Sequence, residues 1–213
     1  MTGIRVTAIA VLAATLALGA CGSDGKKGVS SGGTVTTTAP TTLGTAPPIT
    51  ADPAKSRAGL QTSEGTIVIA LDFVNAPKAA GNFATLVGKG FYDGLTFHRA
   101  AKDFVIQGGD PKGDGTGGPG YVIQGEVPKT GYKLGSVAMA KTAADPPGTS
   151  GSQFFIITGV NGTQLPADYA LVGQVTGGLD VAQKIESYAP TTEPFDGTPT
   201  KKVTITKATL STP

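Results

Sequence analysis

Beyond residue 57 the hydrophobic residues come in short groups, such as Phe104-Val105-Ile106, Ser136-Val137-Ala138-Met139-Ala140 and Phe154-Phe155-Ile156, separated by glycine or proline. With 32 glycines and 15 prolines among 213 residues, these interruptions leave room for many short strands and few helices. Gly59 to Asp72 holds two alternating runs around Ser63-Glu64-Gly65, as in a hairpin, and Lys202 to Leu210 alternates again as a closing strand. Helical spacing occurs twice. Pro77 stands where a first helical turn tolerates it, ahead of a stripe of Ala79, Phe83, Leu86 and Val87 that runs toward Gly88. Leu179 to Glu186 predicts a second, shorter helix. The pattern is all-β with two helices, which suggests a closed barrel capped at its ends, and the length from Arg57 onward suits a single domain with one core.

Chemistry concentrates in Phe97-His98-Arg99-Ala100-Ala101-Lys102-Asp103-Phe104-Val105-Ile106-Gln107-Gly108-Gly109-Asp110. The single histidine of the chain lies beside an arginine, and an apolar run is broken by the side-chain amide of Gln107. A pocket that must hold a greasy ring and hydrogen-bond the amide next to it needs these residue types, and proline in a peptide presents that pair of features. Taken alone, His98-Arg99 reads as one buried ring and one solvated charge.

The FHR and DFVIQGGD blocks together resemble the signature of the cyclophilin family of peptidyl-prolyl cis-trans isomerases. Gly113-Asp114-Gly115-Thr116-Gly117-Gly118, Ser136 to Ala140 and Gly151-Ser152-Gln153-Phe154-Phe155-Ile156 follow in the family's order. The resemblance implies a closed barrel of eight antiparallel strands capped by two helices. A barrel of that size is filled by its own side chains, so the peptide site must lie on the outer wall. By the same resemblance Arg99 is catalytic, with His98 and Gln107 in support. Phe104, Val105, Phe155 and Leu165 form the proline pocket, and Met139, Ala140 and Gln153 join Gln107 in lining the peptide. The chain departs from the family pattern at Gln164, where many members carry tryptophan, and at Tyr169, where they carry a second histidine at the rim. His98 and Arg99 are neighbours on one strand and face opposite sides unless a bulge intervenes.

Ahead of this domain, residues 1–20 read as a lipoprotein export signal, with Arg5 as the positive charge and Val6 to Leu18 as the apolar core. Leu18-Gly19-Ala20-Cys21 resembles a bacterial lipobox, which makes Cys21 the lipidated first residue after cleavage. It is the only cysteine, so no intrachain disulfide can form. Residues 21–56 carry that cysteine and a tether of Gly, Ser, Thr, Ala and Pro, too poor in large apolar groups to offset the entropy of ordering, with a reach on the order of 30 Å. Residues 57–213 form the domain. The expected location is extracytoplasmic, anchored to the cell membrane through lipid on Cys21.

A formal net charge of +2 without basic runs in the domain argues against nucleic-acid binding. One histidine and one terminal cysteine make no metal site of the usual kind, and the expected chemistry needs no cofactor. The expected partners are proline-containing peptides and unfolded exported proteins, met by a monomer. Two readings remain open at this level: an isomerase acting on exported proteins as they fold, and a tethered module that holds proline-containing peptides, as a binder or chaperone, with little turnover.

Overall fold

The computed structural model describes residues 45–213. The export signal, the lipidated Cys21 and the tether up to residue 44 lie outside the described residues.

The chain enters through β1 (Arg57–Thr62) and β2 (Gly65–Leu71), the hairpin expected around Ser63-Glu64-Gly65, with Thr62 Oγ1 donating to Gly65 O at 2.7 Å across the turn. Helix α1 (Pro77–Gly88) follows. Its leading N–H groups on Lys78 and Ala79 donate to the Glu126 carboxylate at 3.1–3.2 Å, so a distant side chain caps an end that Ala76 leaves open. Next come β3 (Phe97–Ala101), β4 (Val105–Gly108), β5 (Ile123–Gln124), β6 (Ser136–Met139), β7 (Thr149–Ser150) and β8 (Phe154–Ile157). A turn of 3-10 helix (Val160–Gln164) leads to β9 (Leu171–Gly177), helix α2 (Leu179–Glu186), β10 (Asp196–Gly197) and β11 (Ile205–Ser211).

Nine strands form one antiparallel sheet in the order β10-β3-β4-β8-β6-β9-β2-β1-β11, while β5 and β7 pair separately. The sheet curls until regions near its two ends meet. Phe97 N–H donates to Val203 O at 3.1 Å and Ile205 N–H to Leu95 O at 2.8 Å, on either side of an isolated bridge between Thr96 and Thr204. The terminal strands β10 and β11 do not pair with each other. The sheet is thus an open nine-stranded order with a short seam, in place of the expected closed, eight-stranded barrel: β10 adds a ninth strand beside β3, and a single bridge with its flanking hydrogen bonds joins the two ends.

Strand alternation divides the apolar residues in two. One cluster holds Ala100, Ile106, Val137, Met139, Phe154 and Ile156 together with Phe83 of α1 and Ile185 of α2. Phe154 is its hub, meeting Phe83, Tyr92 and Phe97 edge-on with centroids 5.3, 5.5 and 6.0 Å away. The alternate residues Ala101, Val105, Ala138, Phe155 and Ile157 form a second cluster on the opposite face, with Tyr132. The helical stripe Ala79, Phe83, Leu86 and Val87 is buried throughout. Contacts with the domain begin ahead of Arg57: Ala51 packs against the inner cluster and Thr50 N–H donates to Thr85 Oγ1 of α1 at 3.2 Å.

Candidate active site

The second cluster is the floor of the site. Arg99 lies opposite Gln107, Gln107 opposite Phe155, and Phe155 opposite Ala138, so register alone sets these four side chains in one row across β3, β4, β8 and β6. Partly buried Phe104, Ala140, Leu165 and Tyr169 pack around the row. Tyr169 stands edge-on to Phe155 with centroids 5.3 Å apart, and Phe104 lies under the Arg99 guanidinium, 5.9 Å from ring centroid to Cζ. Val105 and Phe155 are nearly covered, whereas Arg99, Gln107 and Gln153 are half-buried at the edge.

The polar edge is one directed chain of hydrogen bonds. Arg99 Nη1 donates to Gln107 Oε1 at 3.0 Å, and Gln107 Nε2 donates to Gln153 Oε1 at 3.0 Å. Gln153 Nε2 donates in turn to Gly115 O and Gly117 O, each at 2.9 Å. The loop carrying those carbonyls is shaped by Asp110, whose side chain accepts N–H groups from Lys112, Asp114 and Gly115 at 2.8, 3.1 and 2.6 Å. Burial opposes ionisation of Asp110, but N–H groups of Lys112, Gly115 and Gly117 outweigh it and hold the carboxyl below its usual range. A side chain at 117 would place its Cβ 2.0 Å from Asp110 Oδ1, so glycine is required there.

His98 occupies the bulge. The β3–β4 register shifts between Phe97 and Arg99, which makes His98 the extra residue and turns it and its neighbour out of strict alternation. Neither of its ring nitrogens has a hydrogen-bond partner among the described residues. Burial lowers its pKa, opposed by the Asp110 carboxylate and reinforced by the Arg99 charge.

One expected site residue lies elsewhere. Met139 is fully buried in the inner cluster, because alternation along β6 turns its side chain away from Ala138 on the outer face; as a side chain lining the peptide it is corrected. Gln164, in the place of the family's tryptophan, is exposed at the end of the 3-10 turn. Other members of the site carry no local signal in the sequence. Asp196 accepts from Arg99 Nε and Nη2, both at 2.7 Å. Tyr132 donates its hydroxyl proton to Tyr169 O at 2.7 Å and accepts from Tyr169 N–H at 2.9 Å, fixing the backbone at the rim. Lys141, its side chain 4% exposed, bonds Asp168 at 2.7 Å and sits 5.3 Å above the Tyr169 ring.

A family model described as cyclophilin type peptidyl-prolyl cis-trans isomerase/CLD matches residues 57–210, from the start of β1 into β11. A peptidyl-prolyl cis-trans isomerase of Helicobacter pylori (strain ATCC 700392 / 26695) is 43% identical over 133 residues, which is 61% of this chain and 79% of the relative. Peptidyl-prolyl cis-trans isomerase B of Bacillus subtilis (strain 168) is 44% identical over 115 residues, covering 53% of this chain and 77% of the relative. A probable peptidyl-prolyl cis-trans isomerase B of Mycobacterium leprae (strain TN) is 36% identical over 171 residues, 72% of this chain and 56% of the relative. Among solved structures, a cyclophilin type peptidyl-prolyl cis-trans isomerase of Cryptosporidium parvum superposes with a TM-score of 0.66 at 29% identity, covering 74% of this chain and 98% of that one. A crystal structure of that protein in the presence of the dipeptide Ala-Pro gives a TM-score of 0.65. With curved sheet, two helices and family match spanning the same residues, the chain belongs to the cyclophilin-type peptidyl-prolyl cis-trans isomerases and is an enzyme of that class.

Proposed function

We propose that the domain accelerates X-Pro isomerisation by seating the proline ring on Phe104, Val105, Phe155 and Leu165 while Arg99 stabilises the twisted amide. The observation that carries this is the guanidinium at the edge of the outer cluster, above Phe104. Its Nε and one N–H on each Nη are bonded to Asp196 and Gln107, and the remaining N–H groups are left for a ligand. Rotation about the peptide bond meets a barrier of about 18–20 kcal/mol because the nitrogen lone pair is delocalised into the carbonyl. At the twisted geometry that pair is localised on the prolyl nitrogen, which becomes an acceptor. A donor aimed there binds the transition state more strongly than either planar ground state. Spontaneous exchange takes roughly 10–100 s. A turnover near about 10³ s⁻¹ then requires about five decades, or about 7 kcal/mol. One charge-assisted hydrogen bond supplies part of this. Transfer of the amide onto an apolar floor, which disfavours the more polar planar form, supplies the rest. Gln107, Ala140 and Gln153 hold the peptide backbone in this reading, His98 supports Arg99 through the bulge, and Tyr169 and Lys141 form the rim.

The clients in this reading are exported proteins with proline bonds still to isomerise. Support comes from the export-signal pattern of residues 1–20, the lipobox cysteine Cys21 and the apolar-poor residues after it, which together suit a domain tethered outside the cytoplasm. The test is proline-isomer exchange in a short X-Pro peptide, followed with the full chain in detergent micelles. Catalysed exchange is expected at micromolar protein. Bound peptide without faster exchange would leave the outer cluster as a binding surface only.

A further inference from the structure

Asp196 has no place in the proposed chemistry, yet it makes the most extensive contact with Arg99. Both its carboxylate oxygens are engaged, Oδ1 by Nε and Oδ2 by Nη2, each at 2.7 Å. A side-on pair of this kind fixes the guanidinium plane as well as its position, which a single acceptor cannot do. The residues lie 97 positions apart in the chain, and register brings them together. Asp196 is opposite Ala101, and Arg99 is two residues from Ala101 on the same face of β3, so the two side chains meet as a diagonal pair.

The backbone that carries the carboxylate is itself held. Lys102 N–H donates to Phe195 O at 3.0 Å, Phe195 N–H donates to Thr192 O at 2.8 Å, and Lys102 Nζ lies 5.4 Å above the Phe195 ring. The connection before β10 is thus fastened to the end of the strand that carries Arg99. Gln107 grips the guanidinium from the other side through Nη1 at 3.0 Å.

We infer that Asp196 is a positioning residue for the isomerisation, holding the Arg99 guanidinium in the plane from which its free N–H groups meet the prolyl nitrogen of the twisted peptide. The inference rests on the assignment of Arg99 to the twisted amide. Two physical effects of the carboxylate oppose each other. Its negative charge weakens the pull of Arg99 on the localised lone pair, and its two acceptors remove the freedom of a long side chain. Arg99 and Asp196 are each about one-third exposed, at 34% and 35%, so water screens the charge effect. Geometry is not screened, and a misplacement of about 1 Å can cost about a hundredfold in rate.

The experiment uses the full chain in micelles, carrying Asp196→Asn or, as a second variant, Asp196→Ser. It compares kcat and KM for an X-Pro peptide with the side-chain N–H spectrum of Arg99. An amide offers one acceptor where the carboxylate offered two, so kcat is expected to fall about ten- to a hundredfold with KM changed less than about twofold. The Arg99 Nη signals, distinct while rotation about Nε–Cζ is blocked, are expected to merge. Asp196→Glu keeps both acceptors and is expected to recover part of kcat, and Asp196→Asn added to Arg99→Ala is expected to cause no further loss. Unchanged or raised kcat in both variants overturns the inference, as does a loss confined to thermal stability or failure of both variants to fold. If Arg99→Ala itself leaves kcat intact, the assignment of Arg99 has failed, and that result is distinct from an Arg99-dependent reaction indifferent to Asp196.

Discussion

Phe154 and Phe155 are adjacent and of one residue type, yet they face opposite sides of β8, so replacing each in turn separates stability from function. Phe154 is fully buried and touches three aromatic rings in the inner cluster. Phe154→Ala leaves a sealed cavity at the centre of the core, and its cost sits within the usual range for such truncations, about 4 kcal/mol. For a domain of this size that lowers Tm by about 8–16 °C. Phe155 is nearly as covered, at 4% exposure, but its neighbours Tyr132 and Tyr169 belong to the outer cluster, whose edge opens to solvent. Water can enter the space left by Phe155→Ala, so the loss is about 2 kcal/mol, below that range. The functional effects run the other way. Removing the floor of the proposed proline pocket would forfeit about 1.5–3 kcal/mol of apolar burial by the ligand, which is about ten- to a hundredfold in kcat/KM. Phe154→Ala, assayed well below its melting temperature, should keep kcat/KM within about threefold of the parent. Thermal melts and peptide-exchange kinetics on the two variants make the comparison. Equal melting temperatures, or a kcat/KM loss carried by Phe154 rather than Phe155, would refute the division into inner core and outer floor.

Arg99→Ala should remove most of the turnover while peptide binding falls less, and Arg99→Lys should also be poor, since an ammonium cannot pair side-on with Asp196 and Gln107 together; equal losses of kcat and affinity would make Arg99 a binding residue only. Because burial lowers the His98 pKa from its ordinary 6.5, any titration of the ring falls in the lower part of the interval from about pH 5 to 8; turnover should vary little across that whole interval, and His98→Gln should keep most activity. A titration in that interval that vanishes in His98→Gln would show that His98 either transfers a proton or, once protonated, repels Arg99. The Glu64 carboxyl, its side chain 3% exposed, is held down to about 2 by Lys201, Lys184 and the Tyr188 hydroxyl. Its folded pKa lies below its ordinary 4.5, so its contribution to stability is complete above about pH 4.5 and drains away as pH falls toward 2. Glu64→Gln should be less stable than the parent at neutral pH, with the gap narrowing through that window, and a gap independent of pH would refute the linkage. Cys21→Ser should release the protein from membranes with its exchange activity intact, and retention on membranes after a salt wash would refute lipid attachment at Cys21.

How much of this was legible in the chain follows from the range of each signal. Pro77 and the stripe from Ala79 to Val87 mark α1, and Leu179 to Glu186 marks α2, because helical period and end effects act within a few residues. The Ser63-Glu64-Gly65 turn is likewise local. The motif from Phe97 to Asp110 contains both partners of the Arg99–Gln107 pair, since β3 and β4 are joined by a short turn that sets their register. The bulge at His98 was not fixed by the sequence, which placed His98 and Arg99 on opposite faces unless one intervened.

Residues 1–56 carry their meaning in composition and motif, and the sequence alone determined the short-strand character of the domain, its two helices and the residue types at the site. Tertiary structure decided what depends on pairing between distant strands. It set nine strands in an open order with one short seam, where composition suggested a closed barrel. It turned Met139 into the core, where the continuous apolar run from Val137 to Ala140 shows no alternation to read. It also brought Asp196 to Arg99 and Tyr132 to Tyr169, 97 and 37 residues apart, and Lys141 to Asp168. Aspartate, tyrosine and lysine between glycines and prolines look like ordinary loop residues, and they become parts of a site only when the pairing of distant strands brings together the segments that carry them.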